Sequence, residues 1–239
     1  MSDLVLDIRY NGGGYLDIAS ELAYMIAGPT ATAGKTFEKP VFNDKHPTIN
    51  PVTGAPIAPV PFYSTTRGFS TTTGAPLPTL NLSRVFVLTG PGTCSASEAI
   101  INGLRGIGVT VYQFGSTTCG KPYGFYPQDN CGTTYFSIQL KGVNDANFGD
   151  YNDGFSPANR VTGVSVPGCS IVDDLGHALG DPAEARLAAA LAYRANPAPA
   201  SCPTPSGFSS PLLSSKSLPS AVEGVVPKSI WHENKIYTR

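Results

Sequence analysis

A serine and a lysine in this sequence have side chains that together can perform nucleophilic catalysis. Ser95 lies in the segment GTCSASEAI, just ahead of a helical pattern, and Lys121 follows 26 positions later in TTCGKPYG. A serine at a helix start lies beside unpaired backbone N–H groups, which stabilise negative charge on a nearby oxygen. Its hydroxyl is a nucleophile only when a base takes the proton, and a lysine is that base only where its surroundings lower its pKa from about 10.4. Ser95 and Lys121 are therefore candidates for a nucleophile and its general base.

Each of these residues also has a purely structural interpretation. The segment Ser95-Ala96-Ser97-Glu98 has the pattern of a capping box, with Ser95 as the N-cap and Glu98 as the third helical residue. By itself this pattern favours a helix cap, and a single lysine such as Lys121 is typical of a protein surface. Cys94 is an alternative nucleophile, but no histidine or acidic motif accompanies it. The three histidines lie outside any recognisable motif: His46, His177 and His232.

The apolar pattern predicts alternating strands and helices around these residues. Three short apolar runs are typical of buried strands: Leu4–Ile8, Arg84–Leu88 and Val109–Phe114. A glycine loop at Asn11-Gly12-Gly13-Gly14 and a helix from Leu16 to Ala27, ended by Gly28-Pro29, follow the first run. A helix from about Ser95 to Arg105 follows the second run. This order predicts an α/β fold with a largely parallel sheet and flanking helices.

The rest of the chain gives weaker signals. Residues 30–80 predict a long excursion with short strands around Phe37–Phe42 and Pro59–Tyr63. Further along, Thr133–Leu140 alternates like a strand and Gly149–Arg160 is typical of a loop. A final helix is expected to run to about Ala195. Its predicted start has three signals: Asp181 as N-cap, Pro182 as the first helical residue and Glu184 as the third.

Composition and charge bound the domain organisation and the partners. The chain has 239 residues, a net charge of −1 and only 14% charged residues, which does not favour binding to nucleic acid. No apolar run approaches the roughly 18 residues of a membrane span, and no signal peptide is found. We expect one catalytic core over residues 1–196 and a Pro/Ser-rich tail over residues 197–239 that is partly disordered or non-native.

The five cysteines favour disulfides over a metal site. None has C-x-x-C spacing or a neighbouring histidine, so a zinc site is not expected. Cys119–Cys131 and Cys169–Cys202 are candidate disulfides in an exported protein, and the odd count leaves at least one thiol unpaired. Asp150–Gly154 has some features of a calcium loop but lacks its bidentate glutamate, so a solvated turn is favoured.

Three segments taken together resemble the catalytic core of the C-terminal processing, or tail-specific, serine proteases. In chain order they are LVLDIRYNGGGYLDIASELA, VFVLTGPGTCSASEAIINGLRG and GSTTCGKPYG. The resemblance extends from about Asp3 to Ala195, with little signal over residues 30–80 and 140–175. It implies a fold similar to the core of Clp protease and crotonase.

The resemblance also implies a role for each candidate residue. Ser95 is the nucleophile and Lys121 is the general base. The oxyanion hole comes from the backbone N–H of Ala96 and from that of Gly12 or Gly13. The substrate is a peptide or protein that binds in an extended form at a sheet edge near the glycine loop. No metal or other cofactor is implied, and hydrolysis of small carboxylic esters is a variant of the same activity.

The sequence departs from the family pattern at two positions. Many members have an aspartate where this chain has Arg105-Gly106, and a glutamine where this chain has Phe125, four residues after the lysine. The residue that orients Lys121 is therefore unassigned, with Thr118 and Tyr123 as candidates. These departures keep a second hypothesis open, that of a non-catalytic core that binds a peptide or another ligand in the same cleft.

The family's peptide-binding PDZ domain and N-terminal helical region have no counterpart in this sequence. We therefore expect a truncated form of a longer parent. Members of the family are usually exported, so the resemblance implies the periplasm or cell envelope as the location of that parent.

Overall fold

The structure, a computed structural model, describes residues 1–69, 71–205 and 235–236. Its helices are α1 (Leu16–Thr32), α2 (Ala96–Gly106) and α3 (Ala185–Ala195), with a 3-10 turn at Pro199–Ser201. Its strands, in chain order, are β1 (Val5–Asp7), β2 (Gly14–Tyr15), β3 (Thr36–Val41), β4 (Val60–Pro61), β5 (Arg84–Thr89), β6 (Thr110–Gly115), β7 (Tyr123–Gly124), β8 (Gln128–Asn130), β9 (Thr133–Tyr135), β10 (Leu140–Val143), β11 (Phe155–Pro157), β12 (Val164–Val166), β13 (Gly168–Ser170) and β14 (Lys235–Ile236).

A parallel sheet in the order β1-β5-β6-β13 forms the centre of the fold. Inside it, Val87 of β5 lies opposite Leu6 of β1 on one side and Gln113 of β6 on the other. The last five residues of β5 are buried. Both faces of a parallel sheet are covered, which is why this strand has a continuous apolar run instead of an alternating one. The predicted α/β class with a largely parallel sheet is confirmed.

Helices cover the two faces of this sheet and build two apolar cores. On one face, α1 and α2 contribute Ile26 and Leu104, which pack with Val85. On the other face, Tyr193 of α3 packs edge-on against Phe114, with ring centres 5.5 Å apart. The carboxyl end of β5, where Ser95 follows, is therefore held between two packed layers.

The predicted excursion over residues 30–80 supplies two strands of a second, antiparallel sheet. Its order is β4-β3-β10-β7. Phe37 of β3 packs against α2 at Gly103, where an added Cβ would lie 2.6 Å from the phenyl ring. The absence of a side chain at Gly103 thus lets the second sheet approach α2 closely, and this contact fixes the helix that begins after Ser95.

Three predicted elements differ from the structure. The predicted strand Thr133–Leu140 is formed only at its two ends: β9 pairs with β8 in an exposed hairpin, and the chain then leaves strand geometry until β10 begins at Leu140. The predicted loop Gly149–Arg160 contains β11, which pairs with β12. The first helix breaks at Gly28 (φ 81°) as expected, but helical structure resumes at Pro29 and continues to Thr32.

The last helix begins later than the sequence predicts. Its N-cap is Glu184, whose side chain accepts hydrogen bonds from the backbone N–H groups of Arg186 and Leu187. Asp181 instead accepts from Ala183 in the turn before the helix, so its prediction as N-cap is wrong. Glu184 is fully buried and also pairs with Arg9, a contact between distant parts of the chain that overrides the local pattern.

Two disulfides join Cys94 to Cys119 and Cys169 to Cys202. The second was predicted, but the predicted Cys119–Cys131 bond is wrong. Cys131 is exposed on the turn of the β8–β9 hairpin and forms no disulfide within the described part of the chain. Cys94 and Cys119 instead follow the neighbouring parallel strands β5 and β6, whose carboxyl ends lie side by side. Among the described helices, none has the length and apolar character needed to cross a bilayer.

Candidate active site

Ser95 occupies a sharp turn between β5 and α2. Its backbone has φ 58° and ψ −115°, a conformation that residues with a side chain rarely adopt. Such a conformation costs about 1–3 kcal/mol and persists only where the surroundings impose it. A serine on a strained strand-to-helix turn is typical of nucleophiles in α/β hydrolases. Ser95 therefore has a backbone geometry that a simple helix cap does not require.

The side chain of Ser95 is oriented as in a capping box without forming its bond. Glu98 accepts a hydrogen bond from the Ser95 N–H at 3.0 Å, which is one half of the box. The Ser95 hydroxyl faces the backbone N–H of Glu98, but Oγ is buried and has no hydrogen-bond partner among the described residues. A buried hydroxyl without a partner is destabilising. The hydroxyl is thus available for another role.

Glu98 joins the Ser95 turn to the loop that contains Lys121. Its Oε2 accepts from the backbone N–H groups of Ser95 and Lys121, at 3.0 and 2.8 Å. Its Oε1 accepts from the Gly120 N–H and from the Thr118 hydroxyl. Burial raises the pKa of the Glu98 carboxyl above its ordinary value, while these hydrogen bonds act in the opposite direction. One buried carboxyl group therefore places the two candidate residues on adjoining backbone segments.

Lys121 lies half-buried in the loop between β6 and β7. Its Nζ lies 5.9 Å from the centre of the Phe125 ring, which occupies the position of the family's glutamine. Thr118, a candidate for orienting this lysine, instead donates to Glu98 and accepts from the Phe155 N–H. Tyr123, the other candidate, lies in β7 and pairs with Lys141 of β10.

The glycine loop lies directly over the Ser95 turn. A Cβ added at Gly13 would lie 2.8 Å from Ser95 Cβ and 3.2 Å from the Ala96 nitrogen. Gly13 also has φ 112°, so only glycine fits here without strain. Ala96 is the first residue of α2, and its N–H is one of those that find no partner inside the helix. The backbone of the loop and the start of α2 thus border the same small space.

Asn11 fastens the glycine loop to α2, a role that the sequence did not indicate. Its backbone oxygen accepts from the Cys94 N–H at 3.2 Å, and its Oδ1 accepts from the Ser97 hydroxyl at 2.7 Å. The same Oδ1 accepts from the Gly13 N–H at 2.9 Å. Of the predicted oxyanion donors, the Gly13 N–H is therefore engaged by Asn11 in this structure.

Arg9 supports the loop from behind. It is 2% exposed and pairs with Asp7, Asp173 and Glu184 at 2.9–3.1 Å. Burial by itself lowers the pKa of Arg9, but its hydrogen bonds to Glu184 and Asp7 outweigh burial and raise that pKa above its ordinary value. The guanidinium thus stays charged and connects the end of β1 to the start of α3.

The structure is thus an α/β protein whose parallel sheet is followed, after β5, by a strained serine turn. The sequence model of peptidase family S41 matches residues 1–126, more than half of the chain, so the chain belongs to peptidase family S41. The predicted family is confirmed. No curated protein sequence matches the chain.

One solved structure supports the fold, and a second gives a weaker match. A protein from Bacteroides fragilis NCTC 9343 assigned to the S41 proteases superposes with a TM-score of 0.62 at 24% identity, over 83% of this chain and 46% of that one. The photosystem II D1 C-terminal processing protease matches with a TM-score of 0.42 at 20% identity, over 66% of this chain and 34% of that one. This chain therefore spans less than half the length of each of these structures.

Proposed function

We propose that this chain is the catalytic core of a serine peptidase, with Ser95 as nucleophile and Lys121 as general base. The observation that carries the proposal is the Ser95 turn, where a strained backbone presents a buried hydroxyl that has no partner among the described residues. Strain and an unsatisfied hydroxyl are both unfavourable for folding, and backbone strain is a feature of nucleophile turns.

The reaction we propose follows acyl transfer through a covalent intermediate. The neutral Lys121 amine takes the proton of the Ser95 hydroxyl as Oγ attacks the peptide carbonyl. The resulting ammonium gives that proton to the leaving amine, and water then releases the acyl group from Ser95 by the same proton transfers. The lysine must be neutral at the start, so activity is expected to rise with pH until Lys121 is deprotonated.

The oxyanion of the tetrahedral intermediate is proposed to bind backbone N–H groups at the start of α2 and in the glycine loop. The Ala96 N–H is proposed as one donor. Because Gly13 lies close to the Ala96 nitrogen, an N–H group of the glycine loop is proposed as the second donor. The Gly12 N–H is our first choice for that second donor. Use of the Gly13 N–H requires its release from Asn11 Oδ1.

An extended peptide is the proposed substrate, and β2 is the proposed edge that binds it. This strand directly follows the glycine loop, and it already pairs in parallel with β14, with Lys235 opposite Gly14 and Ile236 opposite Tyr15. A sheet edge that accepts one extended segment through backbone hydrogen bonds can accept another. The two disulfides support an exported protein in an oxidising compartment such as the periplasm or cell envelope.

One observation favours the alternative of a non-catalytic binding core. Phe125 brings an aromatic ring, instead of a polar side chain, to within 5.9 Å of Lys121 Nζ. A ring face stabilises the charged ammonium and so opposes the neutral form that a base needs. Turnover distinguishes the two functions, because a binding core saturates with ligand without forming product.

The test compares the full chain with Ser95→Ala and Lys121→Ala on a fluorogenic peptide series and on p-nitrophenyl esters. Ser83→Ala and Lys45→Ala are matched controls, since both side chains are exposed. The proposal expects hydrolysis by the parent chain and by both controls, loss in both site variants, and a fluorophosphonate adduct on Ser95 by mass spectrometry. A folded parent chain that neither turns over substrate nor takes the label would replace the peptidase with the binding core.

A further inference from the structure

We propose that the Cys94–Cys119 disulfide is a positioning element of the active site, which holds Ser95 and Lys121 in register for reaction. The inference rests on the proposed peptidase function. It predicts that breaking this one bond lowers the catalytic rate while the fold persists.

The position of the disulfide in the chain is the first argument. Cys94 immediately precedes Ser95, and Cys119 lies two residues before Lys121. The bond therefore joins the turn that follows β5 to the loop that follows β6, within two residues of each proposed reacting side chain. Because Cys94 is in this bond and 1% exposed, it is also not a free nucleophile.

The second argument is the backbone strain at Ser95, which the joined segments must hold in place. Ser95 is held in a backbone conformation that costs about 1–3 kcal/mol, so the turn relaxes unless its neighbours oppose relaxation. Non-covalent restraint comes from the Cys119 N–H, which donates to Thr93 O at 3.1 Å, and from Glu98. The disulfide adds a covalent restraint at the same place.

Reduction would also place a new hydrogen-bond donor beside Glu98. The Cys119 sulfur lies 3.7 Å from Glu98 Oε2, the oxygen that accepts from the N–H groups of both Ser95 and Lys121. In the disulfide this sulfur carries no hydrogen. A Cys119 thiol would carry one and would compete for the oxygen that aligns the two residues.

The other disulfide provides a matched comparison within the molecule. Cys169 lies in β13 and Cys202 follows the 3-10 turn after α3, so their bond fastens the end of the described core to the far edge of the sheet. Neither sulfur belongs to the Ser95 turn or the Lys121 loop. Loss of this bond is therefore expected to lower stability without a specific effect on the reaction rate.

The chemical step is an ordinary thiol–disulfide exchange. A dithiol such as dithiothreitol attacks one sulfur, the Cys94–Cys119 bond breaks, and the reductant's second thiol releases the mixed disulfide. The protein gains two electrons and two protons to form two thiols, and the reductant becomes a cyclic disulfide. Cys119 is exposed, so the reductant can reach the bond from that side.

The experiment measures peptide hydrolysis by the full chain carrying Cys94→Ser with Cys119→Ser, and by the chain carrying Cys169→Ser with Cys202→Ser. We expect the first pair to lower kcat at least tenfold with KM nearly unchanged and a native circular dichroism spectrum. The second pair is expected to keep kcat within twofold and to lower Tm. Equal kcat values for the folded first pair and the parent chain would overturn the inference.

Two further measurements keep the test decisive. If the first pair does not fold, the parent chain is reduced stepwise with dithiothreitol while activity and mass are followed; activity must fall as the Cys94–Cys119 bond opens and return on reoxidation. If the parent chain has no activity at all, the peptidase proposal fails separately, and hydrogen exchange then tests the disulfide. Faster exchange confined to residues 90–98 and 116–122 on reduction supports the positioning role, and unchanged exchange there contradicts it.

Discussion

The substitution Glu98→Gln tests the central claim about the site, that one buried carboxylate aligns the nucleophile turn and the lysine loop. Gln has nearly the shape of Glu, so it leaves no cavity. It replaces one acceptor oxygen with an NH₂ group, which is a donor. All the hydrogen bonds that Glu98 makes with N–H groups and with Thr118 need acceptors on this side chain.

The expected magnitude follows from counting the bonds that cannot form. When the amide oxygen of Gln faces Gly120 and Thr118, its NH₂ faces the N–H groups of Ser95 and Lys121, and both lose their acceptor. Each buried donor left unsatisfied costs about 1–3 kcal/mol. We therefore expect the free energy of unfolding to fall by about 2–6 kcal/mol for two such donors.

In Glu98→Gln, the rate of fluorophosphonate labelling at Ser95 should fall together with stability, because the Ser95 turn and the Lys121 loop lose their common acceptor. Urea unfolding gives the stability change, and labelling at a urea concentration where both proteins are folded gives the rate. Thr118→Val is the control: it removes one bond to Glu98 and the acceptor of the Phe155 N–H, so it also lowers stability, but it leaves the bonds from Glu98 to Ser95 and Lys121 and should keep the labelling rate. A Glu98→Gln protein as stable and as reactive as the parent would refute the claim that this carboxylate aligns the site.

Three further predictions follow from backbone geometry and from charge. Gly13→Ala should abolish activity and lower stability, because its Cβ would clash with Ser95. Gly14→Ala should lose less stability, since Gly14 also has a positive φ but an added Cβ there meets nothing within 4 Å among the described residues. Equal urea midpoints for the two variants would contradict the clash. Ser95→Gly should not react with fluorophosphonate. Its free energy of unfolding in urea should nevertheless exceed that of Ser95→Ala by roughly 1 kcal/mol, because glycine adopts the positive φ without strain. Hydrogen bonds from Arg84 and Arg194 lower the pKa of Asp3 to about 2, so its contribution to stability is complete above about pH 4 and is lost as pH falls towards 2. Asp3→Asn should flatten thermal stability between pH 4 and pH 2, and an unchanged slope would show that this carboxylate contributes nothing there.

The sheet could be predicted because its strands are buried on both faces. Such strands have continuous apolar runs, and the run RVFVL located β5 to within a residue. The serine at the start of the next helix followed from the same pattern. The start of α3 could not be found this way, because the local Asp-Pro signal was overridden by the ion pair of Glu184 with Arg9, 175 positions away.

The hydrogen bonds of Glu98 that join the two parts of the site could not be predicted from the sequence for a similar reason. Glu98 was predicted only as part of a capping box, since its bonds to Gly120 and Lys121 form only when β5 and β6 are neighbours. Once two parallel strands are predicted as neighbours, however, the loops at their carboxyl ends must meet. That argument favours the Cys94–Cys119 disulfide over Cys119–Cys131, and it uses only the predicted sheet.

The pairing of β14 with β2 has a consequence for how the proposed substrate edge would respond to concentration. The occupant of that edge belongs to the same chain, so its local concentration is set by the tether and does not change when the protein is diluted. A free product peptide would leave on dilution, but this segment would not. An incoming peptide must therefore displace β14 at every protein concentration. The apparent affinity for that peptide then measures the difference between its binding free energy and that of the tethered β14 segment.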